Sequence, residues 1–449
     1  MQTVNARLQF TGGAGASKRG GYRSGQSRRN LLSVLVIGVD LVADLISPAG
    51  AADSALIGAT LSGNDNAGER FGEALPRIDF LYLSEPDMIR AGVTDMARCV
   101  DTMEEMFRLL HLGDYRMAGG NNNSHGAIVV FPESSPFPEM PKPTTDRRFM
   151  AMPAYLGGSF RTAGMKWYGS NIANREKGLP RSILTFILND VDTGAPLAMM
   201  SANLLSAYRT GAIPGVGARH LARRDSRVIG FVGPGVMART SLAAFMAQCP
   251  QIDTVKIKGR GQANLDAFHN WVGATYPQLS VKAVETDEEV VRGSDIASFC
   301  ASVATGDPSK YPLLKREWVN PGTFLSMPAP CSIDEGMIGP DIRKVLDFTG
   351  MYDAYLEELP APRHNHVPSV GVRYFDLVEE GRLQRAELED LGAIVSGTTP
   401  GRQNDDEIII LSVGGMAVED VAWGTIIYRN AVANGIGCKL NLWEDPVLK

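Results

Sequence analysis

Apolar residues recur at helical spacing between residues 84 and 112, where Met88, Met96, Val100, Met103 and Phe107 fall on one face. That stripe predicts an amphipathic helix packed on a core. A stretch rich in Gly, Asn and Pro follows over residues 119–145 and reads as a loop. The segments 149–168 and 182–200 then have the character of strands. Within the second of these, Asp190-Val191-Asp192-Thr193-Gly194 has turn chemistry, with a glycine available for positive φ, and predicts a hairpin. Residues 202–224 return to a helical pattern, with an interruption expected near Pro214 and Gly215. From Arg227 to Val303 apolar strands and helices alternate, the arrangement that yields a parallel sheet covered on both faces. A long connection over residues 341–392 separates this region from a strand at 407–411 and a helix at 417–434, which Gly435 would stop.

The pattern implies an α/β fold, in which a Rossmann-type, doubly wound parallel sheet stands beside a mostly β domain. The expected boundaries are an extension over residues 1–77 and a first domain over 78–220, completed by the C-terminal residues 412–449. The parallel domain is expected over 221–411, with an insertion at about 341–392. A chain of 449 residues, 44% hydrophobic and 21% charged, is long enough to bury two such cores.

Charge narrows the partners. A net charge of −6 gives no general attraction to nucleic acid or anionic lipid, which are recruited by concentrated positive charge, so a small molecule is the expected partner. The five cysteines are scattered without a Cys-x-x-Cys pair, which argues against zinc or dithiol chemistry and for a reduced, cytoplasmic compartment. Residues 1–30 depart from this composition, with six Lys or Arg and no Asp or Glu. Ser27-Arg28-Arg29-Asn30-Leu31-Leu32, the apolar run after it and Ala49-Gly50-Ala51-Ala52 have the outline of a twin-arginine export signal, although Asp40 and Asp44 interrupt the run. The extension is therefore expected to be disordered, with export as the alternative. No segment has the roughly 18 apolar residues of a membrane span.

The sharpest chemical signal is Gly233-Pro234-Gly235-Val236-Met237-Ala238, a G-x-G-x-x-A string directly after the apolar strand 228–232 and before a helical pattern. Gly233 permits the tight turn, Gly235 lets backbone approach a pyrophosphate, and Ala238 lets the helix pack close to the strand. The free N–H groups of Val236 and Met237 at the helix start would face the phosphates. About twenty residues on, where an acid would hold the ribose hydroxyls of NAD, the chain has Lys258-Gly259-Arg260. Cations there suit a 2′-phosphate, so the expected cofactor is NADP or NAD, with Lys258 and Arg260 favouring the former.

Leu204 to Ala212 (LLSAYRTGA), Gly217 to Arg223 (GARHLAR) and the glycine string after them resemble the ornithine cyclodeaminase/mu-crystallin family. Met152-Pro153-Ala154-Tyr155, Gly164-Met165-Lys166-Trp167, Asp192 to Ala198 and Gly414 to Asp420 extend the resemblance in order. The string from Arg147 to Gly158 is similar to a subgroup of the family often labelled as a component of tyramine oxidase. The resemblance implies that Lys166 and Arg209 hold a substrate carboxylate, a task that suits an ammonium and a bidentate guanidinium. It implies that Thr210 touches cofactor or substrate, that the first domain binds substrate and dimerises, and that the protein is a homodimer. Ring-forming members place an aspartate after the strand matching residues 324–327; here Pro330 and Cys331 occupy that place, and Asp334 or Glu335 could handle amine protons from a shifted position, or cap the next segment. The expected activity is hydride transfer at the amino- or imine-bearing carbon of an amino acid-like substrate. The alternatives are an ammonia-eliminating cyclodeaminase and a non-catalytic NADPH-dependent binder. His364 and His366 lack a third ligand and predict no metal site.

Overall fold

The computed structural model describes residues 76–144, 146–303 and 308–448. The extension expected over residues 1–77 lies outside the described residues except for its last two.

The first sheet is built from β1 (Ile78–Leu83), β2 (Tyr115–Met117), β3 (Ala127–Val130), β4 (Arg148–Leu156), β5 (Thr162–Ser170), β6 (Ser182–Asp190), β7 (Pro196–Ser201) and the C-terminal β18 (Cys438–Trp443). Its order is β18-β1-β7-β6-β5-β4-β2, with β3 pairing on β4, and every pair is antiparallel except β1 with β7. The segment 119–145 therefore holds a short strand rather than loop throughout. The two-residue period of a strand sends successive side chains to opposite faces. On β5, Thr162, Gly164 and Lys166 point inward and Trp167 points out.

Helices α1 (Glu85–Arg90) and α2 (Met96–Leu112) share the apolar face read from the sequence, and Gly113 ends α2 in the left-handed conformation. Helix α3 (Asn203–Leu221) then crosses to the second domain as one continuous helix that contains Pro214. The expected break does not occur. A proline inside a helix costs about 3 kcal/mol, but residues 211–218 are all buried between neighbours, and burial of that extent outweighs propensity.

The second sheet comprises β8 (Val228–Val232), β9 (Thr254–Lys258), β10 (Ser280–Ala283), β11 (Ile296–Phe299), β13 (Phe324–Met327), β15 (Ile342–Leu346), β16 (Leu388–Asp390) and β17 (Ile408–Ser412). All its pairs are parallel, in the order β10-β9-β8-β11-β13-β17-β15-β16. Helices α4 (Val236–Gln248), α5 (Gln262–Thr275), α6 (Asp287–Val291), α7 (Thr349–Glu358), α8 (Val370–Glu379) and α9 (Leu391–Val395) alternate with these strands, and β12 (Leu313–Leu314) pairs with β14 (Ser332–Ile333). The segment 341–392, expected as an inserted connection, contributes β15 and β16 to the sheet. Arg343 and Lys344 broke the apolar run that would have revealed β15. Both are compensated within the fold, Arg343 by Glu389, and Lys344 by Glu387 at 3.7 Å with its protons donated to the carbonyls of Gly339 and Ile342. Helix α10 (Ala417–Ala433) returns the chain to the inner face of the first sheet. Among the described residues, no helix is long and apolar enough to cross a membrane.

Candidate active site

The glycine string forms the bend between β8 and α4, at the carboxyl end of the parallel strands, where open α/β sheets bind ligands. Gly233 has φ +100°, and a Cβ there would lie 2.6 Å from the Ala301 Cα, so both conformation and space demand glycine. Its N–H donates to the Lys258 carbonyl at 2.8 Å, tying the bend to the end of β9. Gly235 is the N-cap of α4, and a Cβ on it would meet nothing within 4 Å. No side chain caps this helix and its first turn holds no acid, so the donors at its start remain available beside an open cavity of about 750 Å³. These features fit a pyrophosphate. Lys258 and Arg260 line the same cavity, but Lys258 is ion-paired with Asp287 at 2.7 Å, while Arg260 is exposed and donates to the Ser302 carbonyl at 3.3 Å.

A second cavity, also of about 750 Å³, lies between the two sheets and shares Arg175, Gly235, Cys300 and Ser302 with the first. Lys166 from β5 and Arg209 from α3 stand side by side in its wall, both almost fully buried. Lys166 Nζ lies 2.7 Å from Asp420 Oδ2, and Arg209 Nε lies 3.1 Å from Asp420 Oδ1. Arg209 also pairs with Glu419. Ser206 Oγ accepts from Lys166 at 3.3 Å and from Arg209 at 3.4 Å, so one hydroxyl and two acids register both cations. The acids occupy the first turn of α10, where negative charge complements the helix dipole, and Glu419 Oε1 also accepts from the Met416 N–H at 2.8 Å.

Burial dominates the titration of this cluster. It pushes the Lys166 ammonium down to about 8, with Arg209 adding to the fall and Asp420 opposing it. It pushes Glu419 up to about 7 against the pull of Arg209. His125, in the same wall, is pushed down to about 4, by burial first and then by Lys166 and Arg209, so its imidazole is neutral at physiological pH. Asp347, at the end of β15, is pushed up to about 6 by burial although it accepts hydrogen bonds from Gly414, Gly415, Phe348 and Tyr352. Those bonds hold the Gly414–Gly415 turn that forms part of the wall.

Thr210, Val236 and Met237 line this second cavity as well, with the Thr210 hydroxyl donating to the Ser206 carbonyl at 2.6 Å. Asp334 and Glu335 do not line it, and their assignment as proton-handling groups is corrected. After β13 the chain turns away to pair β14 with β12. There Asp334 caps a short helical turn, accepting from Met337 N at 3.2 Å and Arg316 N at 3.1 Å, while Glu335 is an exposed partner of Arg382. His364 is bonded to Asp376 at 2.6 Å. Reasoning from sequence missed Glu419, Asp420, His125 and Asp347 as site residues. Two adjacent acids inside the apolar run Ala417 to Trp423 were a readable signal, because buried carboxylates need cationic partners. His125 and Asp347 carried no such mark.

A parallel-sheet nucleotide cleft opening into a cation-lined cavity is the arrangement of a dinucleotide-binding protein. The model of the ornithine cyclodeaminase/mu-crystallin family matches residues 92–435, and the chain belongs to that family. It is 29% identical to alanine dehydrogenase of Archaeoglobus fulgidus over 79% of this chain and 96% of that one. It is 28% identical to N-((2S)-2-amino-2-carboxyethyl)-L-glutamate dehydrogenase of Staphylococcus aureus over 66% of this chain and 82% of that one. Among solved structures, an archaeal alanine dehydrogenase dimer with bound NAD superposes with a TM-score of 0.64 at 26% identity, covering 82% of this chain and 100% of that chain. In fold, the chain also matches Δ1-pyrroline-2-carboxylate reductase of Thermococcus litoralis, with a TM-score of 0.65 at 24% identity, covering 80% of this chain and 99% of that one.

Proposed function

We propose that this protein is an NAD(P)-dependent oxidoreductase that moves a hydride at the amino- or imine-bearing carbon of an amino acid-like substrate. The observation that carries the reading is the shared wall: Arg175, Gly235, Cys300 and Ser302 border both the nucleotide cleft and the cavity holding Lys166 and Arg209. The relatives named above, dehydrogenases of alanine and of an N-carboxyalkyl glutamate, support it.

A nicotinamide nucleotide, when bound, supplies or accepts the hydride. The start of α4, with Gly233, Gly235, Val236 and Met237, would hold its pyrophosphate, and Arg260 and Lys258 would serve its adenosine ribose. Lys166 and Arg209 hold the substrate carboxylate and fix the reacting carbon. Such orientation is worth several orders of magnitude in rate, because the reacting atoms must be nearly touching and aligned. Glu419, pushed up to about 7, keeps the cluster from being fully neutralised, so a carboxylate arriving between the two cations remains compensated. Oxidation of an amine also releases a proton from nitrogen. His125 lines the wall with a neutral imidazole that can accept a hydrogen bond from the nitrogen, but burial and the neighbouring cations make it too weak a base to keep the proton, which passes to solvent.

The chain is further read as a homodimer that pairs through the outer face of the first sheet. Phe149 and Trp167 stack there at 5.8 Å while each is about 41% exposed, beside exposed Ile183, and the archaeal alanine dehydrogenase is itself a dimer.

The test follows the absorbance of the reduced nicotinamide. Amino acids with oxidised nucleotide, or keto acids with ammonia or an amine and reduced nucleotide, should give a net change. Ammonia release with no net change would make the protein a lyase, and nucleotide binding without either would make it a binder.

A further inference from the structure

Five cations line the substrate cavity, namely Arg148, Lys166, Arg175, Arg181 and Arg209, and among the described residues no carboxylate does. Lys166 and Arg209 form one end, backed by Glu419 and Asp420. The other three form a separate group at the mouth. Arg148 lies on β4, Arg181 precedes β6, and Arg175 lies in the short helical segment Ile172–Lys177 between β5 and β6, where it borders the nucleotide cleft as well. One acid, Asp146, stands behind them, paired with Arg148 and with Arg181 at 3.2 Å, and accepting from Ser170 at 2.8 Å. The guanidinium of Arg175 has no hydrogen-bond or ion-pair partner among the described residues. Three guanidinium groups against one carboxylate leave the mouth positive, and burial together with Arg148 and Arg175 lowers the affinity of Arg181 for its proton. Like charges gathered at a cavity destabilise one another unless a ligand of opposite sign is part of the design.

The ring of Tyr168 joins the two groups. Lys166 Nζ and the Arg148 guanidinium carbon each lie 5.9 Å from its centroid, so the inner and outer cations are at most twice that distance apart. One small molecule with an acid group at each end can bridge that span.

Resting on the oxidoreductase reading above, we infer that the substrate is an acidic amino or imino acid. Its α-carboxylate lies on Lys166 and Arg209, and a second carboxylate lies on Arg148, Arg175 and Arg181. Guanidinium groups suit that task because each donates two parallel hydrogen bonds to a carboxylate without losing its proton. The asymmetry of the two ends carries the argument: the two inner cations are backed by two acids on α10, whereas the three outer ones share the carboxylate of Asp146.

The test separates binding from turnover. The full chain, saturated with reduced nicotinamide nucleotide, is titrated calorimetrically with 2-oxoglutarate and, separately, with 2-oxobutyrate, which lacks the second carboxylate. The dicarboxylate should bind at least about tenfold more tightly, the size of one good charge-assisted contact. That advantage should shrink as salt is raised. In Arg175→Gln and in Arg181→Gln the ratio of the two affinities should fall towards one. Arg181→Lys, which keeps the charge and loses the fork, should retain part of it. Equal affinities in the parent protein, or a ratio untouched by both glutamine substitutions, would overturn the inference. So would a loss confined to nucleotide affinity, which would assign the arginines to the cofactor. Turnover of neutral amino acids with no preference for acidic ones overturns this inference and leaves the oxidoreductase reading standing. Failure to bind any nicotinamide nucleotide overturns both.

Discussion

The nucleotide cleft and the substrate cavity share a wall, but they are made from different materials. The first is built from backbone: a bend at Gly233, an uncapped helix start at Gly235 and the ends of adjacent parallel strands. The second is built from charged side chains delivered by β5, α3 and α10, with Lys166 and its partner Asp420 separated by 254 residues. A backbone site tolerates changes of side chain and fails when a Cβ is added. A side-chain site fails when one charge is removed, since its buried neighbours then lose their compensation.

The largest effect should come from the side-chain cavity. Asp420→Asn leaves Lys166 and Arg209 with Glu419 as their remaining acid, so stability should fall by about 3–5 kcal/mol in chemical denaturation and turnover should drop on the order of a thousandfold. Retained stability and activity would mean the cluster is not the coupled unit described above. Next come two glycine substitutions that should behave differently. Gly233→Ala, with φ +100° and the Ala301 backbone in the way, should cost about 2–3 kcal/mol and also abolish nucleotide binding. Gly235→Ala meets open space, so the melting temperature should hold while nucleotide affinity falls about tenfold or more, because the new methyl occupies the phosphate approach.

Asp347 tests the link between the domains through pH. Its carboxyl is raised from an ordinary 3.8 to about 6, so the folded state holds the proton more tightly than the unfolded state. Its contribution to stability is therefore present below about pH 4 and lost as pH rises through about 6. Asp347→Asn should remove a pH-dependent part on the order of 2 kcal/mol from the difference between the two proteins across that window. A constant difference from pH 4 to 7 would show that Asp347 is ionised throughout. The smallest effect concerns the choice of cofactor. Arg260→Ala should lower the preference for NADPH over NADH about tenfold, and Lys258→Ala should lower it less, because that ammonium is engaged by Asp287. Equal effects in steady-state kinetics would place both cations on the phosphate.

The contrast also explains what could be read from the residues alone. The alternation of strand and helix from residue 227, the turn demanded at Gly233 and the apolar face of α2 are local patterns, set by steric limits on a few neighbouring residues, and the sequence by itself determined them. The family was legible for the same reason, through short strings in fixed order. Tertiary structure decided the rest. Pro214 stays inside α3 because its surroundings are buried, β15 is a strand because Glu389 and Glu387 compensate its charges, and Asp334 caps a turn because the chain leaves the sheet after Met327. The arrangement of cations around the cavity belongs to that second group, since electrostatic interaction depends on distance in space and on burial, and neither can be read from separation along the chain.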